Sequence, residues 1–316
     1  MPESSIVVVA VNYNTRDELG VFLEGLGSWR ERCVVFDNAS SDGSVEMVRA
    51  RFPDAMVVVS PVNIGYGAAA NQVFRSHPAA IKAEVLILSN ADIVLLPRAI
   101  EELVAELDRH PDVGAVGPLL RNQDGSLQRS CFPVPGSLRW LLDNDASCAL
   151  LRHVPVVGRR LLRAWDHDEP RSVPWVKGAF MAIRRSAYEA VNGFDEAFFM
   201  YYEETDLCVR LRRSGWRTRF TPAASVIHLG GAATSKVRAS MRMQQFISAM
   251  RFARWHYPVW WSVLLLGLWK LILVVRLSRD RIRLMAGDSD AGLVADIDAW
   301  RQALGFHFGD LDRWIG

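Results

Sequence analysis

From Ile6 to Val116 the chain alternates short apolar runs with stretches whose apolar positions recur at helical spacing. Ile6–Val11, Cys33–Phe36, Met56–Val59, Glu84–Leu88 and Val113–Val116 read as strands. Asp17–Ser28, Ser44–Arg51, Gly67–Ser76 and Pro97–Asp108 read as helices, the last with Pro97 at its first helical position. Strands and helices in this alternation predict an α/β fold with a mainly parallel sheet covered on both faces.

Such sheets bind ligands beyond the carboxyl ends of their strands. Polar clusters stand at four of those ends: Asn12-Tyr13-Asn14, Asp37-Asn38-Ala39-Ser40, Asn63 to Gly67, and Asn90-Ala91-Asp92. Residues 121–172 carry Gly, Pro, Asp and Arg without clear period. They read as loops with a short helix, the kind of irregular insert that forms binding loops. Trp175–Ile183 returns to strand character, Ser186 is placed to cap a short helix, and Glu203–Arg213 reads as a further helix. Val226-Ile227-His228 closes the sheet-forming part.

With 316 residues, 50% hydrophobic and 23% charged, the chain has ordinary globular composition and enough length for one large domain with an appendage, or two domains. A net charge of +2 gives no reason to expect a nucleic-acid partner. Cys33, Cys131, Cys148 and Cys208 lie far apart with no CxxC pair, so neither a zinc site nor a disulfide framework is expected. Met1 to Ser5 is short and acidic, without a basic region or cleavage site, so no signal peptide is expected. The composition changes late in the chain. Residues 259–275, VWWSVLLLGLWKLILVV, are apolar apart from Lys270 and a serine. Leu229 to Ala286 holds ten Lys or Arg against one acid, Asp280. A catalytic domain over 1–231 and a helical, basic and hydrophobic segment over 232–316 are expected.

Asp37 at a strand end suits hydrogen bonds from a uracil or thymine ring or a ribose hydroxyl; the residues after it suit a turn and helix cap equally. Asp92 after the run VLILS suits a hard cation that also binds diphosphate oxygens, magnesium or manganese. His228 ends an apolar run and is a candidate further ligand, although a lone histidine there also suits a structural role. Glu203, Glu204 and Asp206 open a helix, where they complement the dipole and repel one another, which favours a general base. The preceding aromatics Phe198, Phe199, Tyr201 and Tyr202 suit either burial of that turn or stacking on a sugar. Gly65-Tyr66-Gly67-Ala68-Ala69-Ala70 matches the dinucleotide fingerprint G-x-G-x-x-A. Ser60 to Ile64 separate it from its strand, however, so the glycines read as a close backbone approach rather than a dehydrogenase site.

The strings VAVNYN, VVFDNASSDGS, NIGYGAAANQ, LILSNADIVL, WVKGAFMAIRRSAYEAVNGFDEAFFMYYEETDLCVRLRRSGW and PAASVIHLGG occur in this order over roughly residues 5–231. Together they resemble the family 2 glycosyltransferases of GT-A fold, in a rhamnosyltransferase-like branch. The resemblance implies an inverting, metal-dependent transfer from a dTDP- or UDP-sugar, with dTDP-rhamnose the first choice. Asn12, Asn14, Asp37, Asn63, Gly65, Asn71, Asn90, Lys177 and Gly178 would line the nucleotide-sugar site. Asp92 and His228 would bind Mg or Mn, and Glu204 would be the base, with Glu203 and Asp206 as alternatives. Two positions depart from the pattern: Asn90 stands where a first Asp is typical, and Glu204 is one methylene longer than the usual Asp. A sugar nucleotidyltransferase and a non-enzymatic sugar-nucleotide binder are the competing readings.

The acceptor would be a glycan or polyprenyl-linked sugar in cell-surface polysaccharide synthesis, at the cytoplasmic face of the membrane. The apolar stretch Trp255 to Leu277 fits an interfacial helix, with Trp260, Trp261 and Trp269 at headgroup level and arginines on anionic lipid. A membrane-inserted helix, packing on the domain and a homodimer contact are the alternatives.

Overall fold

The computed structural model describes residues 5–143, 162, 165–230, 238–288 and 292–314. Cys148, the middle of the insert (144–161) and Gly231 lie outside them. The chain divides into two compact units, Met1–Glu196 with Glu203–Ala232, and Ala197–Tyr202 with Ala233–Gly316.

In the first unit the elements run β1 (Ile6–Asn12), α1 (Arg16–Gly25), β2 (Cys33–Asp37), α2 (Ser44–Arg51), β3 (Met56–Val59), α3 (Tyr66–Ser76), α4 (Pro78–Ile81), β4 (Val85–Asn90), β5 (Ile93–Leu95) and α5 (Ala99–Arg109). There follow β6 (Val113–Arg121), β7 (Leu127–Gln128), β8 (Cys131–Phe132), α6 (Leu138–Leu142), β9 (Arg171–Val173), β10 (Trp175–Val176), β11 (Phe180–Arg184), α7 (Arg185–Ala190), α8 (Glu203–Arg213) and β12 (Arg217–His228). The main sheet has the order β3-β2-β1-β4-β11-β6-β12-β5, with β7 on β6 and β9 on β12. Strands β1 to β4 are parallel, and β12 is parallel to β6. Strand β11 runs antiparallel to both β4 and β6, and β5 antiparallel to β12.

Alternate side chains of the parallel strands enter opposite cores. Val8, Ala10, Val35 and Ile87 pack with Leu19, Phe22 and Leu23 of α1 and with Ile100, Leu103 and Leu107 of α5. Val7, Val9, Val34, Leu86 and Leu88 pack with Ala69, Ala70, Val73 and Phe74 of α3 and with Leu207 and Leu211 of α8. Each such aliphatic side chain withdrawn from water contributes about 1.5–3 kcal/mol. Cys33, Cys131 and Cys208 are free and buried, and burial pushes their thiols up, to about 12, about 12 and about 11.

Several expected boundaries move. The first helix stops at Gly25, and Gly27–Arg32 is a 3-10 turn. Pro97 precedes the helix it was expected to start; α5 begins at Ala99 after Arg98, whose φ is 63°. Ser186 lies inside α7, whose N-cap is Arg184. Trp175–Ile183 splits into β10, which pairs with β8 in a small separate sheet, and β11 in the main sheet.

The second unit holds α9 (Arg238–His256), α10 (Val259–Met285) and α11 (Gly292–Gly305). Met243, Phe246, Ile247 and Met250 of α9, Leu273 of α10 and Trp300 of α11 form its core. The segment before α8 belongs here. Phe198 is fully buried, edge-on to Trp255, and Tyr202 packs on Phe252. Phe198 is therefore a core residue and not a sugar-stacking surface.

Candidate active site

Strand register assembles the first polar cluster. The parallel pairing of β1 with β2 sets Asn12 beside Asp37, and that of β1 with β4 sets Val11 beside Asn90. Asn12 Nδ2 donates to Asp37 Oδ1 (2.8 Å) and Ser40 Oγ (3.0 Å), and its Oδ1 accepts from Thr15 Oγ1 (2.7 Å). Asp37 Oδ2 accepts from the Ser40 amide (2.9 Å). Asn14, with φ 54°, accepts from the Ser41 amide (2.8 Å). Asn12 is 0% exposed and Asp37 1%, and together these two side chains lock the strand ends.

The loop after β3 is held in the same manner. Asn63 Oδ1 accepts from the Gly65 amide (3.0 Å), and Asn38 accepts from Ile64 N (2.8 Å) while donating to Gly65 O (3.2 Å). Gly65 has φ 88°, where a side chain is strained, and both its backbone polar groups are occupied. Gly65 thus builds the turn. The close approach at Gly67 is to protein: a Cβ there would lie 3.0 Å from Phe194 Cβ and 3.5 Å from Glu203 Cβ. Asn71 is held by protein partners on all sides of its amide. It donates to Phe194 O and Glu196 Oε1 and accepts from Tyr188 OH and Phe194 N, which exhausts its amide. It ties α3 to the loop after α7.

A second cluster forms where β4, β5 and β12 meet. The antiparallel register of β12 on β5 places His228 opposite Ile93, the residue after Asp92. His228 Nε2 is 3.4 Å from Asp92 Oδ1 and 3.3 Å from Asn90 Nδ2. The Asn90 backbone N–H donates to Ala179 O (2.8 Å), which ties this cluster to the Lys177–Gly178–Ala179 turn.

That turn carries the third cluster. Gly178 lies against Glu204: a Cβ there would be 3.2 Å from Glu204 Cβ, and Gly178 N is 3.5 Å from Glu204 Oε1. Tyr66, the first residue of α3, donates from its hydroxyl to Gly178 O (2.8 Å). Burial, then the charges of Glu203, Glu204 and Asp92, raise its phenol well above the usual range, so it stays a donor. Burial lowers the Lys177 ammonium, against the pull of Glu204.

The three acids of α8 have three different surroundings. Asp206 is buried and ion-paired with Arg210 one turn on (2.6 Å), so its charge is engaged and it is set aside as a base. Glu203 is buried against Gly67, and burial, then Glu204, raise it well above the carboxylate range. Glu204 is raised by burial, partly offset by backbone hydrogen bonds and Lys177. Glu203 Oε2 and Glu204 Oε2 are buried without a hydrogen-bond partner, a costly arrangement that recurs where carboxylates are poised to exchange protons. Tyr201 and Tyr202 immediately before them have φ of 65° and 70°, a left-handed backbone costing about 1–2 kcal/mol per residue.

The profile of the family described as Glycosyltransferase like family 2 matches residues 2–257. The chain belongs to glycosyltransferase family 2. It is 32% identical over 264 residues to the N-acetylglucosaminyl-diphospho-decaprenol L-rhamnosyltransferase of Mycobacterium tuberculosis, covering 80% of this chain and 85% of the relative. A 56-residue stretch is 48% identical to rhamnosyltransferase WbbL of Escherichia coli, spanning 18% of this chain and 21% of that one. Mannosyltransferase PcManGT from Pyrobaculum calidifontis, solved in complex with GDP-Man and Mn2+, superposes with a TM-score of 0.53 at 17% identity, over 95% of this chain and 74% of that one. The fold is GT-A, and the chain is a glycosyltransferase of the rhamnosyltransferase-like branch.

In this family 2 glycosyltransferase, Tyr66, Asn38 and Gln128 are site-building residues that sequence reasoning missed. Tyr66 sat inside the G-x-G-x-x-A string, where only the glycines drew attention. Asn38 was read as part of a turn. Gln128 fell within the insert, whose aperiodic sequence gives no pairing partner.

Proposed function

We propose that the chain transfers a sugar, rhamnose from dTDP-rhamnose as the first choice, to a hydroxyl of a polyprenyl-linked or glycan acceptor, with inversion and with a divalent cation. The observation that carries this is the continuity from Asp92 and His228, through Asn90 and Ala179, to Gly178 and Glu204. Base and cation-binding groups thus share one end of the sheet. Glu204 takes the proton from the acceptor hydroxyl as that oxygen attacks the anomeric carbon and the nucleoside diphosphate leaves on the opposite side. Tyr66 and Gly178 hold the Glu204 side chain from behind, and its raised proton affinity makes it a stronger base than an exposed carboxylate.

The residues present fit a divalent cation. An acid oxygen and a ring nitrogen converge at 3.4 Å, and no cluster of three or more His, Cys, Asp or Glu occurs among the described residues. Two protein ligands would leave room for diphosphate oxygens and water around a hard cation such as magnesium or manganese. Asp92 and His228 would hold the ion, which when bound supplies positive charge against the departing diphosphate. The acceptor class follows from the Mycobacterium tuberculosis relative, named for a diphospho-decaprenol substrate.

Helix α10 supports a membrane-proximal reading. It is 27 residues long, with a mean hydropathy of 1.8 in its most apolar window. Ser262, Leu265, Leu273 and Asp280 face its own unit, and Asp280 accepts from Trp300 Nε1 (3.0 Å). Trp260, Val263, Leu264, Leu271, Val274, Val275 and Ile282 are exposed on the other side. A helix with one face packed and an aspartate buried in it suits lying on a lipid surface better than crossing one. Trp269 packs on Phe246 and is withdrawn from the headgroup role, which leaves Trp260 and the exposed Arg281.

The test is transfer from dTDP-rhamnose to a diphosphoprenyl-linked N-acetylglucosamine with and without Mn2+, reading product and anomeric configuration. Glu204→Gln is expected to abolish transfer and keep donor binding. Wild-type turnover in that variant would move the base elsewhere.

A further inference from the structure

The hairpin that joins β6 to β7 sets the proton pattern around His228. Its turn is closed by the Asn122 and Gly125 backbone, with Gly125 at φ 81°. The Asp124 carboxylate, held below the usual range by Ser126, only accepts hydrogen bonds. Ser126 Oγ therefore donates to Asp124 Oδ1 and accepts from Asn122 Nδ2 (2.9 Å). With its amide fixed in that sense, Asn122 turns Oδ1 toward Gln128 Nε2 (3.0 Å). Gln128 Nε2 also donates to the backbone carbonyl of His228 (3.1 Å), so two acceptors agree on the orientation of its amide. Gln128 Oε1 is then the atom 2.6 Å from His228 Nδ1, and Nδ1 must be the donor. The imidazole proton is committed to Gln128, and Nε2 presents its lone pair toward Asn90 Nδ2 and Asp92 Oδ1.

We propose that Gln128 is a positioning residue that fixes His228 as the Nδ1–H tautomer, so that Nε2 and the Asp92 carboxylate together face a divalent cation. This rests on Asp92 and His228 being the cation-binding pair. Two lone-pair atoms 3.4 Å apart with no proton between them repel one another, and a cation relieves that repulsion. Register supports the arrangement. Gln128 pairs with Leu120 of β6, and Leu120 pairs on its other edge with Val226, two residues before His228. The insert read from sequence as a binding loop thus begins with a two-residue strand whose Gln128 reaches His228. Asn90, at the position where a first Asp is typical, lies 3.3 Å from the same Nε2, and its donated hydrogen bond would give way when a cation takes that lone pair.

The experiment records 15N spectra of the histidine-labelled, metal-free full-length chain and titrates Mn2+ calorimetrically. It compares wild type, Gln128→Leu, Gln128→Glu and His228→Ala. His228 is expected as the Nδ1–H tautomer in wild type. Gln128→Leu should lose that preference and weaken Mn2+ binding about 10- to 100-fold, the usual effect of removing a group that orients a ligating histidine. Gln128→Glu still accepts from Nδ1 but no longer donates to Asn122 or His228 O, and should recover most of the affinity. A merely structural role predicts equal losses in both Gln128 variants, and that result overturns the proposal, as does an Nε2–H tautomer in wild type. Should Gln128→Leu fail to fold, the wild-type tautomer and Gln128→Glu decide. If wild type keeps the Nδ1–H tautomer yet binds Mn2+ no better than His228→Ala, the cation pair itself falls, and the proposal with it. If His228→Ala loses Mn2+ but Gln128→Leu does not, the cation pair stands and only the role of Gln128 is overturned.

Discussion

Gly178→Ala isolates the position of the base from everything else in the site. The new Cβ would lie 3.2 Å from Glu204 Cβ, 3.5 Å from its Cγ and 3.7 Å from its Cδ. Carbon atoms in comfortable contact sit about 3.5–4.0 Å apart. Gly178 does not have a positive φ, so alanine costs no backbone strain and the contact must be relieved by moving Glu204 a few tenths of an ångström. All three carbons lie along the same side chain, so it shifts as a unit and its carboxylate moves off the proposed position of the acceptor hydroxyl. Misplacement on this scale is expected to cut turnover about 10- to 100-fold, or about 1.4–2.7 kcal/mol in the barrier. The overpacking itself should cost about 1–3 kcal/mol of stability, which lowers Tm by several degrees. The assay is nucleotide diphosphate release at saturating donor and acceptor, with donor binding measured calorimetrically. Donor affinity should hold while kcat falls. Combined with Glu204→Gln, the alanine should cost almost nothing further, because both act on one group. Gly27→Ala is the control: its φ is 55° and nothing lies within 4 Å, so it should lose about 1 kcal/mol of stability and no activity. A wild-type kcat in Gly178→Ala, or a loss confined to donor affinity, would refute the placement of Glu204 against this glycine.

Glu203 is raised by burial and then by Glu204, so the folded chain holds a proton that the unfolded chain releases. That contribution is complete below the unfolded carboxylate pKa of about 4.3 and is lost as pH rises through the folded value. Glu203→Gln should therefore flatten the fall of Tm between about pH 5 and pH 8, and a steeper fall by scanning fluorimetry would contradict the burial cost. Lys177 lowers Glu204, so Lys177→Met should move the acid limb of the pH–rate profile upward; an unmoved limb would separate the two groups. Replacing Leu271, Val274 and Val275 of α10 together by serine removes three exposed apolar side chains, each contributing about 1 kcal/mol or more on burial. Binding to anionic vesicles should drop about 100-fold in a flotation assay, and undiminished flotation would remove this face from membrane contact.

The parallel half of the sheet was legible because its signals are local. Each strand is a run of buried aliphatics that stops at a polar cluster, and parallel pairing brings those stops to one edge, as Asn12, Asp37 and Asn90 show. What stayed hidden depends on antiparallel pairing between distant segments. Strand β5 is three residues long and reads as a loop, yet its pairing with β12 is what carries His228 to Asp92. Strand β11 enters between β4 and β6 and delivers the Lys177–Gly178–Ala179 turn to Glu204. Pro97 was misread for a local reason: proline is favoured at a helix start, and here Arg98 in a left-handed conformation intervenes before α5.

A residue that builds a site and one that touches a substrate have the same composition, so the sequence does not say which polar residues near the strand ends are held by protein partners. Asn71 and Asn12 are the clearest cases, with amides largely or wholly consumed by protein partners. The three acids of α8 show how far this can be resolved. Asp206 and Arg210 stand four apart, a spacing that pairs side chains on a helix, so sequence alone contained the reason to set Asp206 aside. Choosing between Glu203 and Glu204 needs the two glycines they pack against. Successive helical residues point about 100° apart; Glu203 turns to Gly67 in α3, and Glu204 to Gly178 in the turn tied to Asn90. A missing side chain at each of those positions makes room for one carboxylate. Only the second lies on the path to Asp92 and His228, and that glycine is the reason Glu204 is proposed as the base.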